Sequence, residues 1–173
     1  RTKKRKIMIK TNFDAINEQT NYQINEEKLS NLANNMLCFL ENEGILEQSC
    51  LKDYDLNKIT LNGDILICGN KKIHEINKEY RHKDRPTDVI TFALFADDET
   101  SSDIDGEIYL GEIIISADQT KIQADENKKT FEEELHFLLS HGILHLLGFD
   151  HQDEETYTFM INLQDKILDN VKI

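Results

Sequence analysis

The sequence has no tryptophan, one proline and only seven glycines in 173 residues. A chain so poor in backbone breakers is neither collagen-like nor a proline-rich or glycine-rich linker. Its length then suits a single domain over 1–173 with a substantial core. The three cysteines, Cys38, Cys50 and Cys68, are odd in number and form no Cys-x-x-Cys pair. Reduced thiols are the default for such a set in a cytosolic protein. No apolar run approaches a membrane span. The basic start, Arg1-Thr2-Lys3-Lys4-Arg5-Lys6, is followed only by Ile7-Met8-Ile9, too short for a signal-peptide core. A cytoplasmic protein with no membrane partner is expected. Basic residues are also scarce: 20 Lys and Arg stand against 33 Asp and Glu, a net charge of −13. That excludes nucleic-acid binding spread over the whole surface and leaves room for a local basic groove.

What is present alternates between strand and helix. Residues 7–13 read as a strand. Asn25 caps a helix from about 26 to 43, where Leu29, Leu32, Ala33, Met36, Leu37 and Leu40 recur at helical spacing and Gly44 closes it. A longer connection covers 45–57. Asn62-Gly63 carries a hairpin signal, but the flanking segments are short, so one strand over about 63–69 is preferred, entered through a turn. A helix follows over 71–80, capped by Asn70. The only proline, Pro86, lies in a turn, and Asp88 to Phe95 reads as a strand. Tyr109 to Ser116 contains the run Ile113-Ile114-Ile115 of a strand buried on both faces. Helices are expected over 117–127, from Phe131 to Gly148, and over 153–170. The order predicts an α+β fold: a small mixed sheet of about four strands packed with helices.

The densest chemistry lies in Ser140-His141-Gly142-Ile143-Leu144-His145-Leu146-Leu147-Gly148-Phe149-Asp150-His151, which holds half of the six histidines. His141 and His145 are four apart, so on a helix they share one face. Gly148 can take the left-handed conformation that stops the helix and turns the chain. The turn could bring His151 round as a third ligand. Three neutral nitrogens with a fourth position left open is the layout of a catalytic zinc. The surrounding leucines and isoleucine disfavour imidazoles that nothing fixes. The pattern also matches the skeleton of the metzincin motif, HExxHxxGxxH, with one decisive difference. The glutamate that serves those peptidases as general base is replaced by Gly142. Peptide hydrolysis by that route is not expected.

A second dense stretch, Asn77 to Val89, concentrates Arg81, Lys83 and Arg85 in an otherwise acidic chain. An arginine fork matches phosphate oxygens; basic residues at a helix end also have the plainer role of favouring its dipole. A third stretch, Ser101-x-Asp103-x-Asp105-Gly106-x5-Glu112, nearly fits a calcium-binding loop. It begins with Ser and runs into a strand where that motif needs a helix, so a solvated acidic loop is the expectation.

Three blocks together resemble the YbeY family of bacterial single-strand-specific metallo-endoribonucleases. They are His141-Gly142-x-Leu144-His145-Leu146-x-Gly148-Phe149-Asp150-His151, Asn77-x-x-Tyr80-Arg81-x-Lys83-Asp84-x-Pro86-Thr87-Asp88-Val89, and Leu110-Gly111-Glu112-Ile113-x-Ile115-Ser116. The likeness runs from about 63 to 155. Phe149 stands for the family's more usual Tyr, Thr91-Phe92-Ala93 for Ser-Phe-Pro, and Glu112 for Asp. The resemblance implies a zincin-like fold, one zinc per chain on His141, His145 and His151, and a substrate-binding Arg81. It also implies action on ribosomal RNA, in maturation of the small-subunit 3′ end and in ribosome quality control, with the ribosome or ribosomal proteins as partners.

The expectation is therefore zinc-assisted cleavage of single-stranded RNA. Arg81 and His141 are the catalytic residues, and Lys83 and Arg85 join Arg81 in binding substrate. Asp150, beside a ligand, is a candidate carboxylate behind the metal. Asp88 and Glu112 are the weaker candidates for a general base. The rival is a non-catalytic ribosome-assembly factor with a structural zinc, closed by a fourth ligand such as His136, His82 or a carboxylate. Coordination separates the two.

Overall fold

The computed structural model describes residues 9–98 and 105–172. Four strands form one mixed sheet in the order β1-β2-β4-β3. β1 is Lys10–Asn17, β2 Thr60–Cys68, β3 Val89–Phe92 and β4 Glu107–Ser116. β1, β2 and β4 run parallel, and β3 joins β4 antiparallel as an edge strand. The helices are α1 (Glu26–Asn42), α2 (Asn70–Arg81), the single turn α3 (Leu94–Asp97), α4 (Ala117–Glu126), α5 (Phe131–Leu146) and α6 (Glu154–Asn170). This is the expected α+β architecture.

β4 is apolar on both faces over Ile113–Ile115, where both faces are covered. Ile113 and Ile115 belong to the main core with α1, α5 and α6, including Leu37, Leu40, Leu139 and Ile143. Ile114 points the other way and packs with Cys68, Ile73 and Ile90 beneath α2. Full burial of each such side chain contributes about 1.5–3 kcal/mol, which fixes the register of β4 firmly.

Three boundaries differ from the sequence reading, the first two for a packing reason. Asn62-Gly63 is no turn: it lies inside β2, paired with β1 in unbroken register. A Cβ on Gly63 would sit 2.3 Å from the Phe13 ring, so the glycine makes room for a core aromatic. On the other side of β2 a bulge occurs, the pairing stepping from Asn62 opposite Tyr109 to Gly63 opposite Gly111. The strand expected over 88–95 ends at Phe92. The chain then coils once, Asp97 N–H donating to the Ala93 carbonyl at 2.9 Å, and Phe95 turns inward against Tyr54. The strand expected at 7–13 is shifted to Lys10–Asn17, with residues 7 and 8 outside the described part. Ser101 and Asp103 of the calcium-like loop also lie outside it, while the segment from Glu107 onward is strand, as expected.

Candidate active site

α5 is built to deliver two histidines to one spot. Its start is fixed by a capping box, Thr130 accepting from Glu133 N–H while Glu133 accepts from Thr130 N–H. Its end is a Schellman motif: Gly148 N–H donates to the His145 carbonyl at 3.0 Å and Phe149 N–H to the Leu144 carbonyl at 3.1 Å. Gly148 takes φ +89°, the left-handed turn that its sequence position predicts. The carbonyl of Leu147 accepts from Cys50 N–H at 2.9 Å, so the 45–57 connection seals the helix end.

Beyond the turn, Asp150 and Asp153 hold the chain. Asp150 accepts from the His151 N–H at 2.7 Å and from Gln152 Nε2 at 2.9 Å. These two bonds, the backbone one first, keep its carboxyl below the usual range. The carboxylate thus acts on His151 through the backbone of the turn. Asp153 then caps α6.

The result is a cluster of three imidazoles. Their ligand atoms all lie within 4.8 Å of one another, and His141 Nε2 is 2.9 Å from His145 Nε2. At that separation the two nitrogens cannot both carry protons, so at least one lone pair faces into the cluster. Burial first, then the neighbouring His145 and His151, pushes His141 down to about 4. Burial, then His151, lowers His145 as well. Neutral, converging imidazoles are the state that binds a divalent cation, so the residues fit one. Among the described residues these three are the one His/Cys/Asp/Glu group placed to do so. The suggested fourth ligands stand elsewhere. His136 lines clefts at the other end of α5, with Glu132, and His82 is the left-handed residue that ends α2.

His141 and His145 line a cleft of about 460 Å³, and Arg81, Lys83 and Arg85 line it too. The geometry around Arg81 is set by β3. Its Nη2 donates to the Thr91 carbonyl at 2.8 Å, and the guanidinium lies 5.4 Å from the centre of the Phe92 ring. The loop carrying Lys83 and Arg85 hangs on Asn77, a buried residue that sequence reasoning passed over. Its Nδ2 donates to the Arg85 carbonyl at 2.9 Å, and its own carbonyl accepts from Lys83 N–H at 3.2 Å. Asp84 pins the same loop to α2, its carboxylate 2.7 Å from His74 Nε2 and 3.7 Å from Lys78 Nζ. The one signal for Asn77 in the sequence was its place at the head of the second block. Asp97, also unforeseen, reaches the cleft because α3 coils where a strand was expected.

Of the two general-base candidates, Asp88 lies close enough for its charge to favour a protonated His141. Asp88 spends its carboxylate on protein donors: Val89 N–H at 2.7 Å, Thr87 at 3.3 Å and Gln123 at 3.0 Å. It joins the start of β3 to α4. Glu112 lies on the far face of the sheet. Its neighbour Ile113 touches α5, so Glu112 points the opposite way, toward Asp64 and the α2 side. Burial first, then Asp64, raises its carboxyl.

Gly142 explains the missing peptidase glutamate. A Cβ there would lie 2.7 Å from Ile113, because α5 packs flush on β4 at this point. A glutamate would be driven into the sheet.

No described helix is long and apolar enough to cross a membrane. The family model for Endoribonuclease YbeY matches residues 14–172. Endoribonuclease YbeY of Bacillus subtilis is 42% identical over 149 residues, which span 84% of this chain and 87% of that protein. Endoribonuclease YbeY of Bacillus pumilus is 53% identical over 110 residues, 61% of this chain and 69% of that protein. The solution structure of TM1509 from Thermotoga maritima is 29% identical, covers 92% of this chain and 88% of its own, and aligns with a TM-score of 0.48. With a family match over nearly the whole of the described fold, the chain belongs to the endoribonuclease YbeY family.

Proposed function

We propose that this chain is a zinc-dependent endoribonuclease that cuts single-stranded RNA, with zinc held by His141, His145 and His151 and the reacting phosphate held by Arg81. The observation that carries this reading is one cleft lined by Arg81 together with His141 and His145, two members of the three-imidazole cluster. The donor set suits zinc, since it offers three neutral nitrogens and leaves a position open. When bound, the ion would act as a Lewis acid on a phosphoryl oxygen and make nearby water more acidic.

The remaining work falls to the chain. Arg81 uses one donor on Thr91 and so is held in the cleft, where its guanidinium neutralises charge building on the phosphate. Lys83 and Arg85 take flanking phosphates and set the strand's register. Asp150 keeps His151 in the cluster by holding its turn. Single strands suit such a cleft, since an unpaired backbone can enter a groove that a duplex cannot. The family supports ribosomal RNA as the natural substrate, at the small-subunit 3′ end, in the cytoplasm, with the ribosome or ribosomal proteins as partners. The rival structural zinc lacks support in a fourth ligand at the cluster among the described residues.

The test is a nuclease assay on single-stranded and duplex RNA. Wild type should cut the single strand selectively. Arg81→Ala should lose about a hundredfold, as expected for removal of one transition-state charge partner. Metal analysis should find about one zinc per chain. Equal activity in purified wild type and the His141→Ala/His145→Ala double variant would end the nuclease reading.

A further inference from the structure

The cleft accounts for the phosphates of a substrate but not for its bases, and next to Arg81, just outside the residues that line the cleft, stands an exposed aromatic residue. Tyr80 follows Asn77 and precedes Arg81 by one residue, at the last turn of α2. It is 58% exposed, although tyrosine is large and apolar enough to be buried where packing needs it. Among the described residues its one ring contact is edge-on to Phe92, with centroids 5.4 Å apart and planes at 75°. An edge-on contact leaves ring surface open. Phe92 in turn lies under the Arg81 guanidinium, at 5.4 Å. Tyr80, Phe92 and Arg81 therefore form a continuous set, and Arg81 is the member that enters the cleft.

A second aromatic group, Phe149, Phe159 and Tyr157, borders the histidines on the other side. Charge chooses between the two. That group is neighboured in sequence by Asp150, Asp153, Glu154 and Glu155, with no Lys or Arg between 149 and 159, which disfavours phosphate. Around Tyr80 the cations Lys78, Arg81, Lys83 and Arg85 outnumber the anions Glu79 and Asp84, in a chain of net charge −13. Stacking of bases on an aromatic face beside a basic track is the physical pattern of single-strand recognition.

We propose that Tyr80, backed by Phe92, is a base-stacking platform for a nucleotide next to the phosphate that Arg81 holds. The inference rests on the RNA-cleaving reading of the same cleft. It also gives single-strand preference a second source beyond cleft width. A duplex keeps its bases stacked on each other and has none to offer Tyr80.

The experiment compares two labelled strands of equal length and charge, an oligoribonucleotide and its fully abasic counterpart. Binding to full-length, zinc-loaded protein is read by anisotropy on rapid mixing, before turnover, and cleavage of the intact strand is then followed in the same samples. Tyr80→Ala should weaken binding of the intact strand about tenfold and leave the abasic strand unchanged. Tyr80→Phe should bind both strands as wild type does. An equal loss on both strands overturns the proposal, since it would mark a fold or charge effect. An unchanged affinity for the intact strand also overturns it, and would assign this face to a protein partner. The two readings fail separately. If wild type cuts the strand while Tyr80→Ala binds it normally, only the platform is lost. If wild type never cuts but Tyr80→Ala loses the intact strand selectively, the platform stands and the nuclease reading falls.

Discussion

Single atoms decide much at Gly142 and Glu112. A methyl group at 142 would press on Ile113, 2.7 Å away, at the contact where α5 meets the sheet. Gly142→Ala should therefore destabilise the protein by about 1–3 kcal/mol, measured by urea unfolding. Gly142→Glu, which restores the peptidase motif, should fare worse still and show no peptidase activity. Glu112 tests the opposite sign. Its carboxyl is raised by burial, then by Asp64, so the folded state holds the proton more tightly than the unfolded one. Such a group favours folding at low pH, and that help is lost as pH rises through its folded value. At pH 7 the ionised side chain is a liability. Glu112→Gln should raise the melting temperature by about 1–2 °C at neutral pH. The gain should fade as the pH falls through the glutamate range. Cleavage should stay at the wild-type rate, because the residue faces away from the histidines. A lost activity would return Glu112 to the list of candidate bases.

At the scale of elements, the site depends on where α5 stops and how the next helix starts. Gly148 turns the chain, Asp150 clasps the backbone of His151, and Asp153 caps α6. Asp150→Ala should leave α5 and the His141–His145 pair intact while freeing His151. Zinc affinity measured by chelator competition should fall by about tenfold, the lower end for loss of a group that orients a ligand. The circular dichroism spectrum should be unchanged. The basic loop of the cleft has the same logic. Asn77 holds the 82–88 loop by its amide and its carbonyl, so the basic residues of that loop are placed by a buried polar side chain, not by their own contacts.

The whole molecule carries its charge unevenly. Against a net charge of −13, three cations, Arg81, Lys83 and Arg85, gather in one cleft. If each neutralises one phosphate, the logarithm of the RNA affinity should fall with that of salt with a slope of about −2. A much steeper slope would require contacts beyond the cleft. The main core is one large cluster of apolar side chains shared by the sheet with α1, α5 and α6. Chelation should therefore abolish cleavage while the far-UV spectrum and cooperative unfolding persist, and added zinc should restore activity. Loss of folded structure on chelation would favour a structural ion instead.

The sequence alone determined what local rules can encode. The helical stripe of α1, the doubly buried isoleucines of β4 and the glycine stop after α5 are all short-range patterns in residue type and spacing. The spacing of His141, His145 and His151 belongs with them, because a helix face and one tight turn suffice to bring the three together. Tertiary structure decided what depends on distant partners. Only packing shows that Gly63 makes room for Phe13 inside a strand, that Phe95 turns inward and ends β3, and that Glu112 looks away from the histidines. It alone placed Arg81, some sixty positions before His141, in the same cleft. No spacing rule reaches across that interval. The juxtaposition comes from β3 pairing with β4, which brings the edge that holds Arg81 alongside the helix that carries the metal site.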